Sequence, residues 1–198
     1  MTPARQPLVC LASASPRRCD LLLSIGVDAD IRPCDIDETP KPNESPGDYV
    51  VRLAVEKALA ADALTPLPTL GSDTAVVLDG HILGKPRDQA HGAEMLAALS
   101  GRRHEVLTAV ALTGPAGVLT CCVTTQVRLG EINDEQIAAY WQTGEPLDKA
   151  GGYAIQGLAS VFVASIEGSY SAVVGLPLYE TATLLRQQGV PVWNNVLS

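Results

Sequence analysis

Short apolar runs alternate along the chain with stretches whose apolar residues recur at helical spacing. The run beginning at Leu8 predicts a strand over 8–13, and the leucine-rich stretch after it predicts a helix near 16–25, ended by Gly26. Residues 28–34 read as extended. Ser45-Pro46-Gly47-Asp48 offers an N-cap, a proline at N1 and an acid at N3, and so opens a long helix to about Leu64. Thr69 to Leu78 is a β-rich run, and Asp79-Gly80 is a hairpin turn leading to His81-Ile82-Leu83. Asp88 caps a helix through Leu99, stopped by Gly101. Strands over about 105–113 and 118–129 are joined by a Gly-Pro-Ala-Gly turn. Asn133 to Gln142 is helical, Val161 to Ile166 is a strand, and Pro177 to Gln188 is a last helix. The pattern predicts an α/β fold with a mixed sheet, because a hairpin and antiparallel neighbours interrupt the βα alternation. The Pro-rich stretch 64–70 is a soft boundary at which the chain is not divided, so one domain over 1–198 is expected.

Composition narrows the class. A chain of 198 residues with 46% hydrophobic and 18% charged residues can bury a sizeable core. No apolar run is long enough to span a bilayer, and Met1 to Pro7 has no apolar signal core. Five cysteines at 10, 19, 34, 121 and 122 form no CxxC and no metal-ligand spacing, which reads as reduced thiols in the cytoplasm. The net charge of −8 disfavours a general nucleic-acid binder, whose polyphosphate partner would be repelled. A single phosphorylated ligand is still compatible, because a local basic pocket can oppose the global sign.

Such a pocket is suggested by Leu11-Ala12-Ser13-Ala14-Ser15-Pro16-Arg17-Arg18, at a strand-to-helix turn. Free N–H groups and the positive end of the helix dipole favour an anion there, and arginine forks match phosphate oxygens. Two arginines at a helix start oppose the dipole unless an anion visits. Ser15 could equally be only the N-cap.

Among the acids, Asp35, Asp37 and Glu38 follow an extended run, and Asp73 stands inside the apolar run 70–77. A buried carboxylate needs a partner. Asp73 is therefore a structural aspartate satisfied by N–H groups, a magnesium ligand, or the base that activates water. Lys57 lies on the long helix beside Arg52 and Glu56; Lys85 and Lys149 are flanked by Gly and Pro turn chemistry, on loops where function concentrates. Gln156, within Gly151-Gly152-Tyr153-Ala154-Ile155-Gln156-Gly157, carries an amide able to pair with N3–H and O4 of a uracil-type ring, or to cap a strand edge.

Taken together, these segments resemble the Maf family of nucleoside triphosphate pyrophosphatases, nearly end to end. The resemblance rests on the 11–18 segment, Tyr49 to Ala58, Gly71-Ser72-Asp73-Thr74, Leu83-Gly84-Lys85-Pro86, Asp148-Lys149-Ala150-Gly151, Gln156-Gly157, and Gly168-Ser169-Tyr170 through Leu178. It implies an elongated α/β fold with two lobes around a central cleft, like the inosine triphosphate pyrophosphatases. It implies hydrolysis between the α- and β-phosphates with a divalent metal, Mg²⁺ or Mn²⁺, in housecleaning of the nucleotide pool. Asp73 matches the family's catalytic proton acceptor, with Glu38 a candidate further metal ligand. Ser13, Arg17, Arg18, Lys57 and Lys85 would hold phosphates. Arg17, Thr74 and Gln156 match positions linked to substrate choice, and the Lys149 segment with Gln156 looks like the branch acting on dTTP and UTP. Ser72, Gly152 and Ala172 depart from the residues common in the family and bear on fine specificity. The rival reading is a non-enzymatic, nucleotide- or nucleic-acid-linked regulator of cell division; the chain's acidity argues against direct DNA binding, and Asp73 would have no evident task. A nucleotide partner, no stable nucleic acid, no membrane and a compatible homodimer complete the expectation.

Overall fold

The computed structural model describes residues 6–193. It holds strands β1 (Val9–Leu11), β2 (Ala29–Ile31), β3 (Thr69–Leu78), β4 (His81–Leu83), β5 (Arg103–Leu112), β6 (Leu119–Leu129) and β7 (Val163–Glu167). The helices are α1 (Pro16–Ser24), α2 (Pro46–Asp62), α3 (Gln89–Leu99), α4 (Asp134–Gln142), α5 (Tyr170–Val174) and α6 (Leu178–Gln187), with 3-10 turns at Glu145–Asp148, Ala150–Gly152 and Leu158–Phe162. The strands form one seven-stranded mixed sheet in the order β2-β1-β3-β5-β6-β7, with β4 paired to β3. β1 runs parallel to both neighbours, Leu11 facing Ile31 on β2 and Leu70 on β3. β3–β4 and β6–β7 are antiparallel. The mixed α/β sheet expected from the sequence is therefore present.

The chain gathers into two compact units, each discontinuous in sequence. The first takes the chain up to Asp73, Thr108–Cys122 and the segment from Gly175 onward. Its core contains Val9, Leu11, Leu22, Leu70, Val110, Leu112, Leu176 and Leu185. Each such fully buried aliphatic side chain contributes about 1.5–3 kcal/mol of transfer free energy. Gly71 brings α2 onto β3, because a Cβ there would overlap the Ala54 carbonyl and come within 2.6 Å of the Ala58 nitrogen. That close approach lays the α2 residue next in line, Lys57, against the strand that carries Asp73. α2 starts as its sequence predicts: Ser45 Oγ accepts from the Asp48 N–H at 3.1 Å and donates to the Asp48 carboxylate at 2.6 Å.

The second unit takes Thr74–Leu107 and Val123–Val174. Val76, Leu96, Leu99, Val127, Leu129, Tyr140 and Tyr153 are among its core residues. Asp79 and Gly80 both adopt positive φ, 51° and 79°, as a two-residue hairpin requires. α3 and α4 meet where Gly92 leaves room for the Trp141 ring; a Cβ would sit 2.5 Å from it. α4 begins with a full capping box between Asn133 and Gln136. Among the described residues no helix is long and apolar enough to cross a membrane.

Three local expectations are corrected. Ser15 stands at the N-cap position of α1 but its side chain makes no cap bond; Ser13 Oγ instead accepts the Ser15 N–H at 3.2 Å. The last strand starts at Val163 rather than 161, because residues 158–162 wind into a 3-10 turn whose first N–H groups find a carboxylate, that of Glu145. β1 is shorter than 8–13 because, after the Ala12 N–H bonds the Leu70 carbonyl at 2.8 Å, residues 13–15 turn away to enter α1.

Candidate functional site

In the first unit, three elements converge on one ammonium. Lys57 of α2 places Nζ 2.7 Å from Asp73 Oδ1 on β3 and 2.7 Å from Glu38 Oε1 on the 32–44 loop. Lys57 and Asp73 are each 9% exposed, whereas the Glu38 side chain is half exposed. The loop is pinned to α2 by residues at helical spacing. Tyr49 donates its hydroxyl to the Glu38 carbonyl at 3.0 Å. Arg52 donates to the Thr39 carbonyl at 3.1 Å and makes a paired contact with Glu44 at 2.5 and 2.8 Å. Arg52 thereby holds the Glu44 carboxyl down to about 2. Tyr49, Arg52, Glu56 and Lys57 thus form one polar face of α2 whose task is to fix Glu38.

The two arginines at the start of α1 have different surroundings. Arg18 donates Nε to the Gly175 carbonyl at 2.9 Å and a terminal nitrogen to Ser13 Oγ at 3.0 Å. Ser72, beside Asp73, donates its hydroxyl to the same Gly175 carbonyl at 3.0 Å. Gly175 therefore ties the arginine and the strand together through one oxygen. Arg17 makes no hydrogen bond or ion pair with another described residue. Its guanidinium remains available to an anion at a helix start that already favours one.

Burial dominates the electrostatics here. It pushes the Asp73 carboxyl above its ordinary range, against the opposing pull of Lys57 and Arg18. Burial also lowers the Arg18 guanidinium, while the Asp73 charge works to restore it. A carboxylate with raised proton affinity is suited to accept a proton from water. Asp73 and Glu38 present hard anionic oxygens of the kind that bind a divalent ion with one or two carboxylates plus phosphate oxygens, and the Lys57 ammonium occupies the position between them. No group of three or more His, Cys, Asp and Glu residues that could hold a metal occurs among the described residues, so substrate oxygens would complete such a shell.

In the second unit, two loops are joined by a backbone bond: the Gly151 N–H donates to the Gly84 carbonyl at 3.0 Å. The first loop carries exposed Lys85, and the second carries Lys149, paired with its neighbour Asp148. Gly151 has φ 68° and its missing Cβ would lie 2.9 Å from Val76, so glycine is required there twice over. Tyr153 is buried with its hydroxyl 2.7 Å from His104 Nε2, and Gln156 is exposed at the centre of a turn closed by the Gly157 N–H on the Ala154 carbonyl. Thr74 follows Asp73 on β3 as the first residue of this unit.

Ser13, Arg17, Arg18, Glu38, Lys57 and Asp73 thus fall in the first unit, and Thr74, Lys85, Lys149 and Gln156 in the second. Lys57 and Arg18, expected on phosphates, already have protein partners: the first bridges two carboxylates and the second clamps Ser13 and Gly175. Sequence reasoning missed Tyr49, Glu44, His104, Tyr140 and Glu145. The 49, 52, 56, 57 spacing on one face of α2 was the signal available for Tyr49; Glu44 lies on the loop before that helix. The five cysteines are free thiols, with Cys121 pushed up to about 11, chiefly by burial.

Residues 8–188 match the family described as Maf-like protein. A dTTP/UTP pyrophosphatase of Saccharophagus degradans is 51% identical over 94% of this chain and 91% of its own length. One of Nitrosomonas europaea is 50% identical over 98% of this chain and all of its own, and one of Shigella dysenteriae is 54% identical over 88% and 90%. Among solved structures, a HAM1 protein from Coxiella burnetii aligns with a TM-score of 0.53 at 17% identity, covering 92% of this chain and 100% of its own. The Staphylococcus aureus Ham1 protein aligns with a TM-score of 0.52 at 14% identity, covering 90% and 98%. At those identities the structural likeness carries the fold alone. The family match over nearly the whole chain, with relatives near half identical, establishes that this chain belongs to the Maf family.

Proposed function

We propose that this protein hydrolyses dTTP and UTP to the nucleoside monophosphate and pyrophosphate. The observation that carries the proposal is Asp73: a buried carboxylate of raised proton affinity, held by Lys57 and set in a unit whose Arg17 has no partner among the described residues. The names of the half-identical relatives supply the substrate class.

The chemistry is a displacement at the α-phosphorus. Water attacks that phosphorus, the bond to the bridging α–β oxygen breaks, and pyrophosphate leaves. Asp73 takes the proton of the attacking water; Oδ1 is engaged by Lys57, which leaves the other oxygen for the proton. Lys57 keeps the carboxylate ionised between turnovers despite its burial. Arg17 and the N–H groups opening α1 bind phosphate oxygens, where charge accumulates on the leaving group. Arg18 fixes Ser13 and so the turn those N–H groups belong to. Half-exposed Glu38, with phosphate oxygens, would hold a divalent cation, which when bound spreads phosphate charge and lowers the pKa of water; Asp73 would be its alternative ligand only where it does not serve as the base. Base choice is assigned to the second unit, with the Gln156 amide accepting from N3–H and donating to O4 of thymine or uracil.

A panel of dTTP, UTP, CTP and GTP with Mg²⁺ or Mn²⁺ tests the proposal. Pyrophosphate and the monophosphate should appear in equal amounts from dTTP and UTP. Release of orthophosphate, or a purine preference, contradicts it.

A further inference from the structure

The segment presenting Gln156 is held on both sides of that residue by one pair of side chains. On its N-terminal side, the Ala154 N–H donates to Tyr140 Oη at 3.2 Å. The Tyr140 hydroxyl donates onward to Glu145 Oε1 at 2.7 Å. On the C-terminal side, the Leu158 N–H donates to Glu145 Oε2 at 2.9 Å and the Ala159 N–H to Oε1 at 3.2 Å. The Gly157 N–H closes the turn on the Ala154 carbonyl at 3.0 Å, with Ile155 and Gln156 at its centre. A Cβ at Gly157 would overlap the Glu145 carboxylate, so the turn lies directly on that group.

The clamp is rigid and charged. Tyr140 is 4% exposed, and its ring packs edge-on to Phe162 with centroids 5.8 Å apart. Burial pushes the Glu145 carboxyl up, but the Tyr140 hydroxyl and two backbone N–H groups outweigh it and hold the group ionised, below its ordinary range. Charge-assisted bonds to backbone N–H groups fix a turn more tightly than neutral ones. Tyr153, Ala154 and Ile155 are buried, whereas Gln156 is exposed, so the turn held by the clamp presents Gln156 outward.

We propose that Tyr140 and Glu145 are positioning residues for base discrimination, setting the turn from which Gln156 reads the pyrimidine edge; this rests on the reading of Gln156 given above. Neither residue touches the nucleotide in this scheme. Their effect passes through Gln156 and vanishes when Gln156 cannot read.

The test is a set of double-mutant cycles scored on the ratio of kcat/KM for dTTP over CTP. Wild type, Tyr140→Phe, Glu145→Gln, Gln156→Ala and the two doubles with Gln156→Ala are compared, each checked for its apparent Tm. Tyr140→Phe keeps the ring and its packing, so it serves if Glu145→Gln does not fold. Each clamp variant should lower the ratio about tenfold in the wild-type background, the scale of one lost hydrogen bond to a charged group. In the Gln156→Ala background each should change it by less than about twofold. A ratio unchanged by Gln156→Ala itself overturns the reading of Gln156, and the positioning role with it. A ratio that collapses in Gln156→Ala but survives in both clamp variants overturns the positioning role alone. So does an equal loss in both backgrounds, which a merely structural contribution produces.

Discussion

Replacing Lys57 by methionine should destabilise the protein in a way that acid reverses. Methionine keeps the length and apolar stem of the lysine but removes the ammonium shared by Asp73 and Glu38. Glu38 is half exposed and stays hydrated, so its lost contact is worth at most about 1 kcal/mol. Asp73 is 9% exposed and is left as a buried carboxylate without its nearest cation. Truncating one partner of such a pair costs about 3–5 kcal/mol. The protein can relieve that cost by protonating Asp73. The sign follows from linkage: a carboxyl whose folded pKa lies above the unfolded 3.8 favours folding less as pH rises through the folded value. Burial already raises Asp73 in the wild type, and loss of Lys57 raises it further. The gap between variant and wild type should therefore be largest near about pH 8 and shrink by up to about 1.4 kcal/mol per pH unit on acidification, where only the variant binds the proton. Urea unfolding across about pH 5–8 reads this directly. The double variant Lys57→Met/Asp73→Asn should recover most of the loss at the alkaline end and abolish the pH dependence of the gap. A gap that is flat with pH, or that Asp73→Asn fails to close, would show that Lys57 acts by packing and does not neutralise Asp73.

Two further outcomes are expected. Arg17→Ala should leave the melting temperature of the ligand-free protein unchanged or slightly higher, because Arg17 has no partner among the described residues and opposes the α1 dipole, while KM for triphosphates rises; a large fall in ligand-free Tm would make Arg17 structural. His104 is 2% exposed, and burial lowers it from 6.5 to about 4, so the unfolded chain binds more protons in that window and wild-type stability should fall by about 3 kcal/mol as pH drops through it. His104→Gln should remove that component from the difference in unfolding free energy between about pH 7 and pH 4, and an unchanged difference would refute it.

Much of the fold was legible because its signals are local. The β3 run, the Asp79-Gly80 turn and the Ser45 cap each depend on a few adjacent residues, and each appears where its chemistry places it. The 145–162 stretch was not legible, because the Leu158, Ala154 and Gly151 N–H groups there are satisfied by Glu145, Tyr140 and the Gly84 carbonyl, none of which is adjacent to the N–H group it satisfies. The site was legible by residue type and not by partner. A carboxylate inside an apolar strand marks Asp73 from sequence alone. That its counter-charge is Lys57, sixteen positions back, follows only once Gly71 lets α2 lie on β3. Arg17 and Arg18 are indistinguishable in sequence, yet one side chain is committed to Ser13 and Gly175 and the other is not.

The proposed role of Asp73 as proton acceptor is tested most directly by single-turnover pyrophosphate release from dTTP with wild type and Asp73→Asn at matched, saturating nucleotide. Asparagine keeps the shape and removes a buried charge, so the variant should fold with a ligand-free Tm at or above wild type. The rate of pyrophosphate formation should fall on the order of 10²-fold or more, the scale of a general base. A folded Asp73→Asn variant that forms pyrophosphate at near the wild-type rate would contradict the account.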